Sequence, residues 1–313
     1  MANTPIPSLT QSLQDYAFGV AQDLQAILEL ANALAPIVVT GAKHIKYATF
    51  NSDVMYQAPV AKRGLGAKRE RIIMQGSATT VDLSTKGLEI GIDDQEWPEM
   101  AVGTDGGATK PAMILQQAKI MELINLSYLS HVNEVVTVAK AGVTAAAGIG
   151  NWSSANVDPI AEIDAQLLNI ARFRKPNQII MDVGAWKLIK NNPLVNKRWI
   201  ASGGPTLEQF AGVLLIPDIK IILTPVAINT LGLGNASQSK KGIINNEVWC
   251  MYNSPTPSVF DSSFMKTFSV NKELFGGIAE YRDEGSASQV YYADWHAMPA
   301  LVSTSLVARI AAS

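Results

Sequence analysis

Apolar residues near the start of the chain recur at three- and four-residue steps. Leu9, Leu13, Leu24, Ile27, Leu28, Ala31 and Leu34 fall on one face of a helix predicted over residues 8–34, with Pro36 marking its end. This apolar stripe precedes any domain. It must dock on something made later in the chain, or on another subunit. Between residues 43 and 92 the period shortens to two. The segments HIKYATF, RIIMQGSATTVDL and GLEIGID alternate apolar or β-branched residues with polar ones, and they predict strands around a glycine-bearing loop. These strands carry few large apolar residues. A long hairpin of this kind is stable only if it lies on something else.

The stretch GTDGGA, residues 103–108, reads as a hinge-like loop. Thr109 and Pro111 then open a helical pattern that runs to about Lys140 through Ile114, Leu115, Met121, Ile124, Leu129, Val132, Val135 and Val136. A loose segment of small residues follows, over 141–150, and is a second candidate hinge. From Asp158 the texture is α/β. DPIAEIDAQLLNIARF predicts an Asp-capped helix, NQIIMD a buried strand, GAWKLIKNNP a short helix stopped before Pro193, and PTLEQFAG another helix. VLLI, KIILTP and EVWCMY predict strands, and residues 264–310 again look extended.

Charge and composition alter this picture in one place. The 313 residues carry a net charge of −2, with 48% hydrophobic and 17% charged residues. Such a balance builds a sizeable core and gives no global attraction to nucleic acid. Yet half of residues 62–71 are basic: Lys62, Arg63, Lys68, Arg69 and Arg71, around Gly64 and Gly66. The acidic residues Asp93, Asp94, Glu96 and Glu99 follow about 25 residues later. Two complementary patches of this kind can pair within a chain or between copies. The basic loop could also cradle a phosphate or lie on DNA. Its glycine spacing fits neither a phosphate loop nor a dinucleotide fingerprint, and a strand rather than a helix follows it. No interleaved aromatics support nucleic-acid stacking.

Other chemistry is sparse. The single cysteine, Cys250, excludes an intrachain disulfide and a tetrahedral cysteine site. His44, His131 and His296 fall in separate elements. His131 and Glu134 sit one turn apart on the long helix without a second such pair. The expectation is no catalytic residue, no cofactor and no metal. The N-terminus lacks a signal-peptide pattern and no apolar run is long enough to span a bilayer, so no membrane association is expected.

The order of parts resembles the major capsid proteins of tailed bacteriophages, which have the HK97-type fold. The motifs that carry the resemblance are PNQIIMDVGAWKLIKNNPLV, ANVDPIAEIDAQL before it, EVWCMY after it, and AKRGLGAKRERI leading into GLEIGIDDQEW. The resemblance implies an α+β fold in five parts: an N-terminal arm over 1–40, an E-loop hairpin over 41–92, a P-domain with its spine helix over 93–150, an α/β A-domain over 151–285, and returning P-domain strands over 286–313. It implies a structural protein, not an enzyme, that self-assembles as pentamers and hexamers into an icosahedral head shell enclosing double-stranded DNA. Lys62, Arg63, Lys68, Arg69, Arg71, Asp93, Asp94 and Glu96 are the candidate inter-subunit contacts. In members that crosslink their subunits, the corresponding lysine would be Lys62 or Lys68. Other implied partners are a separate scaffolding protein, a portal, decoration proteins and packaged DNA held by non-specific contact. The location would be the virion, and the host cytoplasm during assembly. The alternatives are an encapsulin-like nanocompartment shell, and a soluble α/β enzyme with residues 158–252 as its catalytic domain.

Overall fold

A computed structural model describes residues 25–50, 76–95, 109–199, 204–229, 240–272, 274 and 277–313. The first described element is helix α1 (Gln25–Leu34). Leu30, Ala31 and Leu34 are its buried face, and Pro36 lies two residues past its end, as the sequence predicts. The rest of the predicted helix, residues 8–24, lies outside the described residues. Strands β1 (Ile37–Val39), β2 (His44–Phe50), β3 (Gly76–Asp82) and β4 (Thr85–Asp93) follow.

Helix α2 (Thr109–Gly142) is the longest element. Its 34 residues make a rod of about 50 Å at 1.5 Å per residue. Ile120, Leu123, Ile124, Val132, Val135, Val136 and Ala139 are buried, at the three- and four-residue spacing that predicted the helix. The two halves of the rod face different partners. Ile120, Leu123, Ile124 and Tyr128 pack with Ile92, Tyr291, Ala293 and Trp295. Val132, Val135, Val136 and Ala139 pack with α1 and with Ile180, Ile222, Trp249 and Met251. The spine therefore rests on two sheets.

The first sheet has five strands. Its centre is β12 (Ser288–Leu301). β4 runs antiparallel to β12 over Thr85–Asp93, and β11 (Ala279–Asp283) runs antiparallel on the other flank. The far half of β12 pairs with β10 (Met265–Ser269), and β1 adds to β10 in parallel. The hairpin stem β2–β3 pairs only within itself among the described residues, in register from His44↔Asp82 to Phe50↔Gly76.

The second sheet has the order β13–β9–β5–β6. Its strands are β5 (Gln178–Asp182), β6 (Lys220–Thr224), β9 (Glu247–Met251) and β13 (Val307–Ala311). Because strand side chains alternate, Ile180 and Trp249 face the spine, whereas Ile179, Met181, Val248 and Cys250 face a second core. Covering that second face are α3 (Pro159–Ala171), α4 (Val183–Asn191), α5 (Pro193–Arg198) and α6 (Leu207–Val213). A small hairpin, β7 (Ala227–Asn229) with β8 (Lys240–Gly242), lies beyond β6.

Local chemistry explains the helix starts. The Asp158 carboxylate accepts from Ile160 N–H, with Pro159 in the first turn of α3. Thr206 and Gln209 form a reciprocal capping box at α6. Asn192 both ends α4 and caps α5, accepting from Leu194 and Val195 N–H. α5 was not predicted, because the expected stop at Pro193 is also a helix start.

One predicted strand is absent. Residues 213–216, VLLI, form the end of α6 and a bend. The period-two pattern is real, since Leu214 and Ile216 are buried while Val213 and Leu215 are exposed. The Leu215 N–H, however, donates to the Asp164 carboxylate at 2.8 Å rather than to a neighbouring strand.

Candidate inter-subunit surfaces

The sequence singled out a basic loop and an acidic stretch. Lys62, Arg63, Lys68, Arg69, Arg71 and Glu96 lie outside the described residues. The hairpin that would carry the basics is anchored at its base. Ile45 and Tyr47 are buried with Val38, Phe268 and Ala300, and Tyr47 Oη donates to the Leu301 carbonyl at 3.0 Å. His44 meets Asp82 across the stem at 2.7 Å.

Asp93 and Asp94 close β4. The Asp93 carboxylate accepts from Gln95 N–H at 2.8 Å. Asp94 takes both terminal nitrogens of Arg282 on β11, one at 2.6 Å. The hydrogen bond from Arg282 holds the Asp94 carboxyl below the usual carboxylate range. No local signal pointed to Arg282, which is 188 residues away.

The hairpin's return strand is clamped to the spine. Lys86 Nζ on β4 reaches both Glu134 carboxylate oxygens at 2.5 Å and the Ala297 carbonyl at 3.1 Å. His131, one turn before Glu134, is buried. Burial, and then the Lys86 charge, push its imidazole down to about 4. Of the His131–Glu134 pair singled out in the sequence, Glu134 takes the ion pair with Lys86 and His131 is buried beside it on the same helix, its Nδ1 without a hydrogen-bond partner among the described residues.

A second buried set fastens the spine's end to the second sheet. Glu247 accepts from Arg309 at 2.6 Å and pairs with Lys140 at 3.3 Å. Trp249 Nε1 donates to the same carboxylate at 3.1 Å, and the Arg309 guanidinium lies 5.4 Å from the Trp249 ring centroid.

On the outward face of β4, β12 and β11 there is an open groove of about 730 Å³, lined by Gly87, Leu88, Glu89, Tyr281, Tyr292 and Asp294. Tyr281 Oη donates to Glu89 at 3.1 Å. Among the described residues no group of three or more His, Cys, Asp or Glu is placed to hold a metal ion. Cys250 is buried, and that burial pushes its thiol up to about 12, so it is a packing residue rather than a nucleophile. No described helix is long and apolar enough to cross a membrane.

The chain aligns with a phage-related protein from Bordetella bronchiseptica RB50 at a TM-score of 0.69 and 19% identity, over 96% of this chain and 95% of that one. It aligns with the capsid protein of Myoviridae phage XM1 at a TM-score of 0.57 and 11% identity, over 91% and 92%. It also aligns with the SrpI encapsulin of Synechococcus elongatus PCC 7942 at 0.50 and 10%, over 99% and 91%. The α+β shell-protein fold expected from the sequence is the fold observed. No protein-family model and no curated protein sequence matches the chain.

Proposed function

We propose that the chain is the major capsid protein of a tailed bacteriophage, which assembles with copies of itself into the shell around packaged double-stranded DNA. The observation that carries this reading is the end-to-end fold likeness to the Bordetella and XM1 proteins, which spans more than nine-tenths of each chain. The architecture supports it. The hairpin stem β2–β3 belongs to neither large sheet, and the five clustered basics fall in the sequence between its two strands. Lys62, Arg63, Lys68, Arg69 and Arg71 would contact a neighbouring subunit, with Asp93 and Glu96 among the acceptors and Asp94 held in place by Arg282. The role is structural rather than catalytic. Many modest contacts would give a cooperative closed shell.

In this reading the arm covers 1–40, the E-loop 41–92, the P-domain 93–150 with strands from 286–313, and the A-domain 151–285. Sheet membership refines that division. On strand pairing, β10 and β11, which pair with β12, would go with the P-domain, and β13, which pairs with β9, would go with the A-domain. A scaffolding protein, a portal and decoration proteins would complete the head, with assembly in the host cytoplasm.

The deciding experiment reverses charge at Lys68→Glu, Arg69→Glu and Arg71→Glu together. The expected outcome is a folded, soluble subunit that yields no closed shells by sedimentation and negative-stain microscopy. A wild-type yield of shells would remove these residues from the contact. The likeness to the encapsulin keeps a nanocompartment shell as the second reading. Nuclease-resistant double-stranded DNA inside native particles selects the phage head, and an enclosed cargo protein without DNA selects the nanocompartment.

A further inference from the structure

Phe260 is 80% exposed, more than any other large apolar side chain among the described residues. It sits on the loop of residues 254–263, SPTPSVFDSS, which joins β9 to β10. The loop is braced from within. Ser258 N–H donates to the Asp261 carboxylate at 2.6 Å, Asp261 N–H donates to Ser258 Oγ at 3.2 Å, and the Ser263 hydroxyl donates to Asp261. Lys266, whose side chain is 1% exposed, donates to the Asp261 carbonyl at 2.6 Å and pairs with its carboxylate at 3.0 Å. Arg174 Nη1 donates to Ser262 Oγ at 2.6 Å and lies over the Tyr252 ring. Pro255 and Pro257 restrict the approach. A buried lysine is costly to desolvate, and here its donors are directed at a surface loop. The result is an aromatic side chain held out in water on a pre-ordered support, the arrangement that makes an interface anchor.

A complementary surface exists on the same molecule. In the groove over β12, the Tyr281 and Tyr292 rings lie 5.9 Å apart in an edge-on arrangement, which leaves ring surface for a third aromatic. Gly87 keeps the groove open: a Cβ there would come 2.2 Å from Asp294 Oδ1. Glu89 and Asp294 make its rim acidic, opposite in sign to Arg174, which braces the Phe260 loop at Ser262. The two surfaces do not meet within one chain. The loop enters β10 at Met265, which pairs with Leu301, and the groove lies at Tyr292, some nine residues back along the same strand and so about 30 Å away.

We propose that Phe260 of one copy packs onto the exposed ring surfaces of the Tyr281–Tyr292 pair of the next copy, with Arg174 facing Glu89 and Asp294. The two surfaces differ, so the contact is head-to-tail, and in the shell reading it would repeat around a ring. The inference rests on the shell reading above and names a contact formed outside the hairpin.

The test places p-benzoyl-phenylalanine at position 260 of the full chain, mixes it with excess wild-type subunits, and irradiates the sedimented particles. Covalent multimers whose linked peptides map to Leu88, Tyr281 or Tyr292 are expected. Phe260→Ser should leave the subunit folded, because the side chain is exposed, while particle yield falls about ten-fold or more. Links that map elsewhere, an absence of links, or an undiminished Phe260→Ser yield overturn the contact and leave the shell reading standing. If the wild-type chain forms no particles even when its scaffolding protein is supplied, the shell reading fails and the contact falls with it.

Discussion

Lys86 Nζ donates to both carboxylate oxygens of Glu134 at 2.5 Å, and this one pair ties the strand that returns from the hairpin to the spine helix. The side chains are 25% and 28% exposed, so solvent screens part of the attraction. Lys86→Met should cost about 1–2 kcal/mol, since it also leaves the Ala297 carbonyl without this donor. Urea unfolding of the unassembled subunit measures it. A wild-type midpoint for the variant would show that water replaces the lysine without loss.

His131 should make the subunit acid-sensitive. Its imidazole ordinarily titrates near 6.5, and burial followed by the Lys86 charge lowers it to about 4 in the fold. Between those values the unfolded chain binds a proton that the native chain refuses, so stability falls as pH falls. The loss approaches on the order of 3 kcal/mol at the bottom of the window. Asp164, whose carboxyl is raised by burial, acts in the opposite sense near the lower end. Asp261 is depressed, because its hydrogen bonds from Ser263, Ser258 and Lys266 outweigh its burial, so its contribution is lost only below the ordinary 3.8. Unfolding free energies of wild type and His131→Gln should therefore diverge in slope between about pH 7 and pH 5. Parallel curves would refute the assignment.

Asn253 holds the end of α1. It is 1% exposed. Its amide donates to the carbonyls of Ala33 at 2.6 Å and Leu34 at 3.0 Å, and its oxygen accepts from Phe264 N–H at 3.1 Å. Asn253→Ala strands these buried backbone groups, for an expected loss of about 2–4 kcal/mol. Limited proteolysis should then cut near residues 34–36 before any other site in the described chain. Equal protection in variant and wild type would mean that the apolar face of α1 suffices.

Gly150 is held at a φ of +99°, and a Cβ there would lie 2.1 Å from the Ala311 carbonyl oxygen. Gly150→Ala therefore meets both a strained backbone and a hard contact with β13. The expected cost is about 2–4 kcal/mol, visible as a lowered thermal midpoint. Gly212→Ala, where the new methyl meets nothing within 4 Å, is the matched control and should leave the midpoint unchanged or slightly raised.

The elements visible in the sequence were those with a long period or a paired start and stop. The spine helix showed a three-to-four residue pattern over about six turns, from Ile114 to Val136. α3 announced itself through Asp158 and Pro159, and β5 through three consecutive buried residues. α5 was invisible because six residues are too short to show a period. The false strand at 213–216 had the right alternation, and only the Asp164 side chain, 51 residues earlier, decides otherwise. The pairs Asp94–Arg282 and Glu247–Arg309 join residues 188 and 62 positions apart. No spacing rule links such partners. Nothing in the sequence distinguishes Phe260 from any apolar residue in a Pro/Ser loop, and the loop that carries it is braced by the buried Lys266 through Asp261.

The parallel pairing of β1 with β10 has a consequence in time. Thr40 meets Ser269 across 229 residues of chain. At about 5–20 residues per second of synthesis, Ile37–Val39 leaves the ribosome about 10–45 s before its partner strand exists. Through that interval three apolar β-formers have no strand to pair with, although the buried face of α1 can settle on the spine once Val132, Val135 and Val136 have been made. The segment made early is among the last to find its seat. Until then only the loosely collapsed state of the growing polypeptide, or a chaperone, covers the open strand.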